Sequence, residues 1–121
     1  MKTITDFAAA INSRDVEQIG ALMSDDHTFI DAHGNEIAGK EAMKVGWASY
    51  FEFFPDYYIE IAQILSQGDL TVACGYAGAG TGDNAWKIPA AWRAIIKDGK
   101  IKLWQVYADT KIPFERMELK K

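Results

Sequence analysis

The hydrophobic pattern of this chain changes its period once, at Pro55. Before Pro55, apolar residues recur at the spacing of helical turns, and after it apolar and polar residues alternate, which is typical of β-strands. A proline ends a helix because it lacks a backbone N–H and its ring crowds the preceding turn. The sequence therefore predicts helices first and a sheet second, which is an α+β arrangement.

Three helices are predicted in the first half of the chain. The first covers residues 3–13 and places Phe7 and Ile11 one turn apart on an apolar face. A short second helix follows, for which Asp15 is a candidate N-cap because its carboxylate can accept free backbone N–H groups. After a short strand at 27–31, a turn at 32–35 and an extended pair at Glu36-Ile37, a third helix starts at Gly39. Its apolar face consists of Ala42, Met43, Trp47, Tyr50 and Phe54.

Four strands are predicted after Pro55, at residues 56–65, 70–80, 85–97 and 101–110. Turn-forming residues separate them at 67–69, 80–84 and 98–99. Because these connections are short, we expect an antiparallel meander.

The last predicted strand carries bulky side chains on both faces. Alternation places Lys102, Trp104, Val106 and Ala108 on one face, and Ile101, Leu103, Gln105, Tyr107 and Asp109 on the other. We expect the tryptophan face to line a pocket. The opposite apolar row predicts a homodimer that forms through the outer face of the sheet.

Composition excludes several classes of protein. Hydrophobic residues at 49% and charged residues at 25% are ordinary globular values, and a length of 121 residues predicts one domain over 1–121. The net charge of −4 argues against nucleic-acid binding, which needs clustered basic residues. Cys74 has no second cysteine to pair with, and no apolar run predicts a signal peptide or a membrane span. We therefore expect a cytoplasmic protein.

Five short motifs occur in an order that resembles the SnoaL-like branch of the NTF2-like, or ketosteroid isomerase-like, superfamily. They are Phe54-Pro55-Asp56, Gln67-Gly68-Asp69, Gly80-Thr81-Gly82, Asp98-Gly99-Lys100-Ile101 and the segment from Trp104 to Asp109. The resemblance covers nearly the whole chain. It implies a cone-shaped α+β fold in which three N-terminal helices pack on a strongly curved antiparallel sheet around an apolar pocket. Relatives include isomerases, polyketide cyclases, epoxide hydrolases, dehydratases and non-catalytic binding proteins.

Asp31 is the first candidate catalytic residue. Residues 25–34 resemble the first-strand pattern of the ketosteroid isomerases, in which the general-base aspartate stands at the position of Asp31, and limonene-type epoxide hydrolases have an asparagine there. An apolar pocket would disfavour the charged carboxylate, so we expect a raised pKa that suits proton transfer. Alternatively, Asp31 only hydrogen-bonds the turn that follows it.

The remaining machinery of two related enzyme families is incomplete. Phe7 stands where the resemblance implies an isomerase tyrosine, and Ala91 or Trp92 where it implies an aspartate, so the oxyanion donors are missing. In place of the epoxide hydrolase Arg-x-Asp and its second aspartate, the chain has Val72-Ala73-Cys74 and Val106. Steroid isomerisation and epoxide hydrolysis are therefore not expected.

Two further residues are candidates for catalysis. SnoaL-type cyclases carry an aspartate near the position of Asp109, but strand parity turns Asp109 away from Trp104 unless a bulge intervenes; otherwise Asp109 anchors the strand end. His33 is a candidate second proton carrier at the pocket mouth, or a solvated turn residue. His27 shares a strand parity with Asp31 and His33, but roughly 20 Å of extended chain separates the ends, so no metal site and no cofactor are expected.

The sequence favours a small apolar or aromatic molecule as the ligand. The expected pocket residues are Phe7, Trp47, Tyr50, Cys74, Tyr76, Trp92, Trp104 and Val106. Cys74 is placed there by parity, and is expected as a small core residue rather than a nucleophile. Two functions remain open. One is an isomerase, cyclase or lyase that uses Asp31 for proton transfer, and the other is a non-catalytic ligand-binding or dimeric interaction module.

Overall fold

A computed structural model describes residues 2–119 as helices packed against a single mixed sheet. The helices are α1 (Lys2–Ser13), α2 (Val16–Ala21), α3 (Lys40–Phe53) and α4 (Lys111–Leu119). The strands are β1 (Met23–Ile30), β2 (Glu36–Ala38), β3 (Tyr58–Gln67), β4 (Leu70–Ala79), β5 (Trp86–Lys97) and β6 (Lys100–Ala108). No helix within the described range is both long and apolar enough to cross a membrane.

The α+β fold predicted from the sequence is confirmed, and helices pack on a curved, mostly antiparallel sheet. The strand order is β2-β1-β6-β5-β4-β3, and every neighbouring pair except β1 with β6 is antiparallel. The meander is therefore β3 to β6. Strand β1 pairs in parallel with β6. Just before β1, Leu22 O accepts from Ile101 N of β6 at 2.7 Å.

The main differences from the sequence prediction are the start of the first strand and a fourth helix. The first strand begins at Met23 and not at residue 27. The early part was not predicted because it places Asp25 and Asp26 at exposed positions and lacks a clear alternation of apolar and polar residues. A fourth helix, α4, follows the sheet and was not predicted from the sequence. Within the described range Pro113 is its only buried residue, and its apolar residues do not recur at a clear helical spacing.

Helix α1 packs its apolar face on the inner side of the sheet. Phe7 is fully buried and meets Trp104 edge to face, with ring centroids 4.8 Å apart. Asn12 fixes the helix to β3, because its Nδ2 donates to Ile59 O at 2.9 Å and its Oδ1 accepts from Ile59 N at 2.7 Å. These contacts fix α1 to the start of β3.

Strand β4 faces the opposite way from the prediction. Its inner residues are small, such as Ala73 and Ala79, because they lie beside Trp92 and Trp86 of β5, which fill the inner side. Cys74 is exposed, and the expectation that it lines the pocket is wrong. Alternation alone cannot tell which face is covered, and the larger side chains of β4 were mistaken for the inner ones.

The same correction applies to Tyr76, which is 41% exposed on the outer face. A bulge between Ile95 and Ile96 also shifts the register of β5 with β6. As a result Ile101, expected on the outer face, is fully buried.

Candidate functional site

An apolar cavity of about 270 Å³ lies between α3, the inner face of the sheet and α4. Its lining side chains are mainly aromatic and aliphatic, with polar groups at one side. They come from Ile11, Phe29, Asp31, Ala32, His33, Ile37, Met43, Gly46, Trp47, Tyr50, Tyr57, Ile59, Trp92, Trp104, Val106, Thr110, Phe114 and Met117. His33, Ile37 and Phe114 are exposed to solvent, so they mark the mouth of the cavity.

Helix α3 and the last two strands supply opposite walls. Along α3, Met43, Trp47 and Tyr50 follow one another at three- and four-residue spacing, which places them on one face. Facing them, Trp92 and Trp104 stack with centroids 6.0 Å apart, and each is 1% exposed. Both indoles of the strand wall are therefore held within the core.

Two tyrosines meet beside the helix wall. The rings of Tyr50 and Tyr57 are perpendicular, with centroids 4.9 Å apart, and Trp47 lies edge-on to Tyr50 at 6.5 Å. Burial raises the pKa of both tyrosine hydroxyls well above its ordinary value, so both remain neutral donors. The buried Nε1 of Trp47 has no acceptor within residues 2–119.

Asp31 lies at the cavity edge, but it is bound to the turn that follows β1. Its Oδ1 accepts from His33 N at 2.8 Å and Asn35 N at 2.9 Å, and its Oδ2 accepts from Asn35 Nδ2 at 3.1 Å. Partial burial acts to raise the pKa of this carboxyl, but the hydrogen bonds from Asn35 and His33 outweigh it and lower the pKa. The expected raised pKa is therefore wrong, because the turn satisfies the charge.

His33 joins the turn to the last helix. Its Nε2 lies 2.8 Å from Thr110 Oγ1, and its ring stacks on Phe114 with centroids 5.1 Å apart. The backbone of His33, not its ring, contacts Asp31. The two residues thus lie side by side at the mouth without forming an imidazole–carboxylate pair.

Asp109 lies outside the cavity. It is exposed, and its Oδ1 accepts from Lys111 N at 3.0 Å at the start of α4. The structure thus supports the alternative given for this residue, an anchor at the strand end, and does not place it among the lining side chains.

Of the predicted pocket residues, five line the cavity: Trp47, Tyr50, Trp92, Trp104 and Val106. Phe7 does not reach it, because it is fully buried behind Trp104. Tyr57 was missed, although it lies only two residues after Pro55 and is buried. Phe114 and Met117 were missed too, and their three-residue spacing was the available signal for an apolar helix face.

Metal-binding geometry is not found among the described side chains. No group of three or more His, Cys, Asp or Glu residues within 2–119 is close enough to hold an ion.

Residues 4–104 match the family model of the SnoaL-like domain. The match covers more than half of the chain, which therefore belongs to the SnoaL-like family. No curated protein matches the sequence.

Solved structures share the fold at low sequence identity. One is a protein with a ketosteroid isomerase-like fold from Catenulispora acidiphila in complex with trimethylamine, with a TM-score of 0.84, 19% identity, and coverage of 96% of this chain and 92% of that one. Another is an LEH-like epoxide hydrolase from M. tuberculosis. It has a TM-score of 0.81 and 17% identity, and the match covers 98% of this chain and 88% of that one. A third is TerC co-crystallised with polyporic acid. It has a TM-score of 0.82 and 20% identity, and the match covers 97% of this chain and 96% of that one. At these identities the likeness shows the fold alone.

Proposed function

We propose that this protein binds a small, mostly apolar molecule in the cavity between α3, the sheet and α4. The observation that carries the proposal is a space of about 270 Å³, open at its mouth, with aromatic side chains in its walls. Ligand pockets for drug-sized molecules start at about 300 Å³, so the ligand is a small one. The complexes with trimethylamine and polyporic acid in two proteins of the same fold are consistent with this use.

Polar groups at the cavity would orient the ligand. The neutral hydroxyls of Tyr50 and Tyr57, which belong to lining residues, can each donate to it. A ligand that supplies an acceptor for one of these hydroxyls is therefore favoured.

Gly46 offers a way to test the proposal by filling the cavity. It lies on the lining face of α3, and a Cβ built there would meet only Met43 Sδ at 3.6 Å and Met43 Cε at 3.8 Å, which are ordinary contacts. Gly46→Phe should therefore fold and occupy the cavity. Ala48→Phe adds the same ring on the exposed face of the same helix and serves as the control.

The measurement is calorimetric titration with naphthol. Wild type and Ala48→Phe should bind it equally, and Gly46→Phe should lose at least about ten-fold in affinity because the ring takes the ligand's place. Equal binding by all three proteins would contradict the proposal.

A second candidate function is proton transfer by Asp31, as in isomerase, cyclase or lyase chemistry. The observation in its favour is the position of the Asp31 carboxylate on the cavity wall. Its lowered pKa opposes the proposal, since a weaker base has less driving force near neutral pH. Asp31→Asn keeps the acceptor for the two turn N–H groups. If Asp31 is the base, this variant binds ligand normally and loses turnover; retained turnover excludes the role.

The outer face of the sheet is proposed as a homodimer interface. Leu65, Leu70, Tyr76 and Tyr107 are between 36% and 65% exposed, which leaves an apolar surface uncovered in one chain. Tyr107→Lys should give a monomer by light scattering, while Val45→Lys, on the outside of α3, should leave the dimer intact. A monomeric wild type would refute the interface.

A single domain over 1–121 and a cytoplasmic location stay predictions.

A further inference from the structure

We propose that the molecule bound in this cavity is a small organic cation whose charged nitrogen carries alkyl groups in place of hydrogens. The inference rests on the proposed function and names the chemical class of its ligand. Charge, aromatic surface and the scarcity of acceptors each support it.

Charge is distributed unevenly over the cavity wall. Neither lysine nor arginine occurs among the lining residues, whereas the Asp31 carboxylate does. Within residues 2–119, Asp31 forms no ion pair with a lysine or arginine. Its negative charge is stabilised by the N–H groups of the turn but not neutralised by a side-chain cation. A cation entering the mouth is therefore attracted and an anion repelled.

Seven of the other lining residues carry Phe, Tyr or Trp rings. Their π faces carry partial negative charge and bind ammonium groups, most strongly when water is excluded. The rings come from Phe29, Trp47, Tyr50, Tyr57, Trp92, Trp104 and Phe114. Such walls stabilise a positive charge that an aliphatic cavity would exclude.

The scarcity of acceptors restricts which cations fit. A primary ammonium has three N–H groups, and each would need an oxygen acceptor once it leaves water. Away from the mouth the lining side chains are aromatic or aliphatic, apart from the tyrosine hydroxyls. A nitrogen carrying three or four alkyl groups has few or no N–H groups to satisfy, and its methyl groups can pack directly against the rings.

The test compares choline with dimethylbutanol, in which carbon replaces the charged nitrogen and the shape is the same. Titrations followed by NMR give the dissociation constant of each probe. We expect wild type to bind choline about ten-fold more tightly than the neutral isostere. In Asp31→Asn the preference should fall to about two- to five-fold, which the rings alone supply.

Asp109→Asn is the matched control, because it removes the same charge from a nearby carboxylate that lies outside the cavity. It should retain the full preference. Equal binding of the two probes by wild type, or an equal loss in both variants, would overturn the cation assignment. If naphthol still binds and Gly46→Phe abolishes that binding, the proposed function survives such a result. If naphthol also fails to bind, both are overturned.

Discussion

The two ends of the cavity are built by different interactions. At the closed end, Trp92 and Trp104 are almost fully buried, and Phe7 packs behind them. At the mouth, Asp31 and His33 are held by hydrogen bonds to a turn and to Thr110. Burial of apolar area dominates stability, whereas hydrogen bonds of exposed groups contribute little net free energy. Changes at the closed end should therefore affect stability, and changes at the mouth should affect ligand binding.

The largest expected effect comes from Trp104→Ala at the closed end. Removing a buried tryptophan that contacts both Phe7 and Trp92 leaves a void, and should cost about 3–5 kcal/mol of unfolding free energy. Urea denaturation followed by circular dichroism measures the loss. Phe114→Ala at the mouth is the comparison, and since that side chain is 48% exposed it should cost less than about 1 kcal/mol. Equal losses would contradict the division between the two ends.

Asn12→Ala should have the next largest effect. The variant removes both hydrogen bonds to Ile59 and leaves the partly buried backbone N–H and C=O of Ile59 without these partners. The expected loss of unfolding free energy is about 1–3 kcal/mol. Urea denaturation gives the value. Asn12→Asp retains the acceptor for Ile59 N but places a carboxylate oxygen against Ile59 O, so it should also be destabilising. A neutral effect of both substitutions would mean that α1 is held by its apolar face alone.

His27 and His33 should contribute differently to the pH dependence of stability. His27 is fully buried, its Nδ1 donates to Ile101 O at 2.8 Å, and burial lowers its pKa. The unfolded chain therefore takes up a proton below the ordinary pKa of about 6.5 that the folded chain resists, so stability falls as the pH drops. Asp31, with a lowered pKa, loses its stabilising contribution only in more acid solution.

Denaturation midpoints between about pH 7 and pH 5 test this assignment, because only histidines normally titrate there. His27→Asn retains a donor for Ile101 O and should flatten the pH dependence. His33→Asn, which changes an exposed side chain, should leave most of the slope in place. A slope that persists in His27→Asn and disappears in His33→Asn would reverse the assignment.

The smallest predicted effect is a gain in stability. Gly46→Ala should stabilise α3 by about 0.5–1 kcal/mol, because alanine restricts the unfolded chain and the added Cβ meets only ordinary contacts. Thermal unfolding measures the gain. The same variant should bind naphthol almost as wild type does, since one methyl group fills little of the cavity. Destabilisation would show that the α3 wall is closer to the sheet than described.

The sequence predicted the closed end better than the mouth. Helical and strand periodicities mark buried faces directly, and Trp47, Trp92 and Trp104 are all buried. The inner face of β4 was misassigned because alternation marks two faces equally, and its alanines are explained only by the tryptophans on β5. The mouth depends on hydrogen bonds between Asp31 and its turn and on a helix with weak periodicity, neither of which leaves a strong pattern.

The central claim is that the space between α3 and the strands binds a small, mostly apolar molecule. A crystal structure of wild type soaked with naphthol tests it most directly. We expect the rings to lie between Trp47 and Trp104, with the naphthol oxygen within hydrogen-bonding distance of the Tyr50 or Tyr57 hydroxyl. An empty or collapsed cavity, with naphthol bound only on the outer sheet face beside Tyr76 and Tyr107, would contradict the claim.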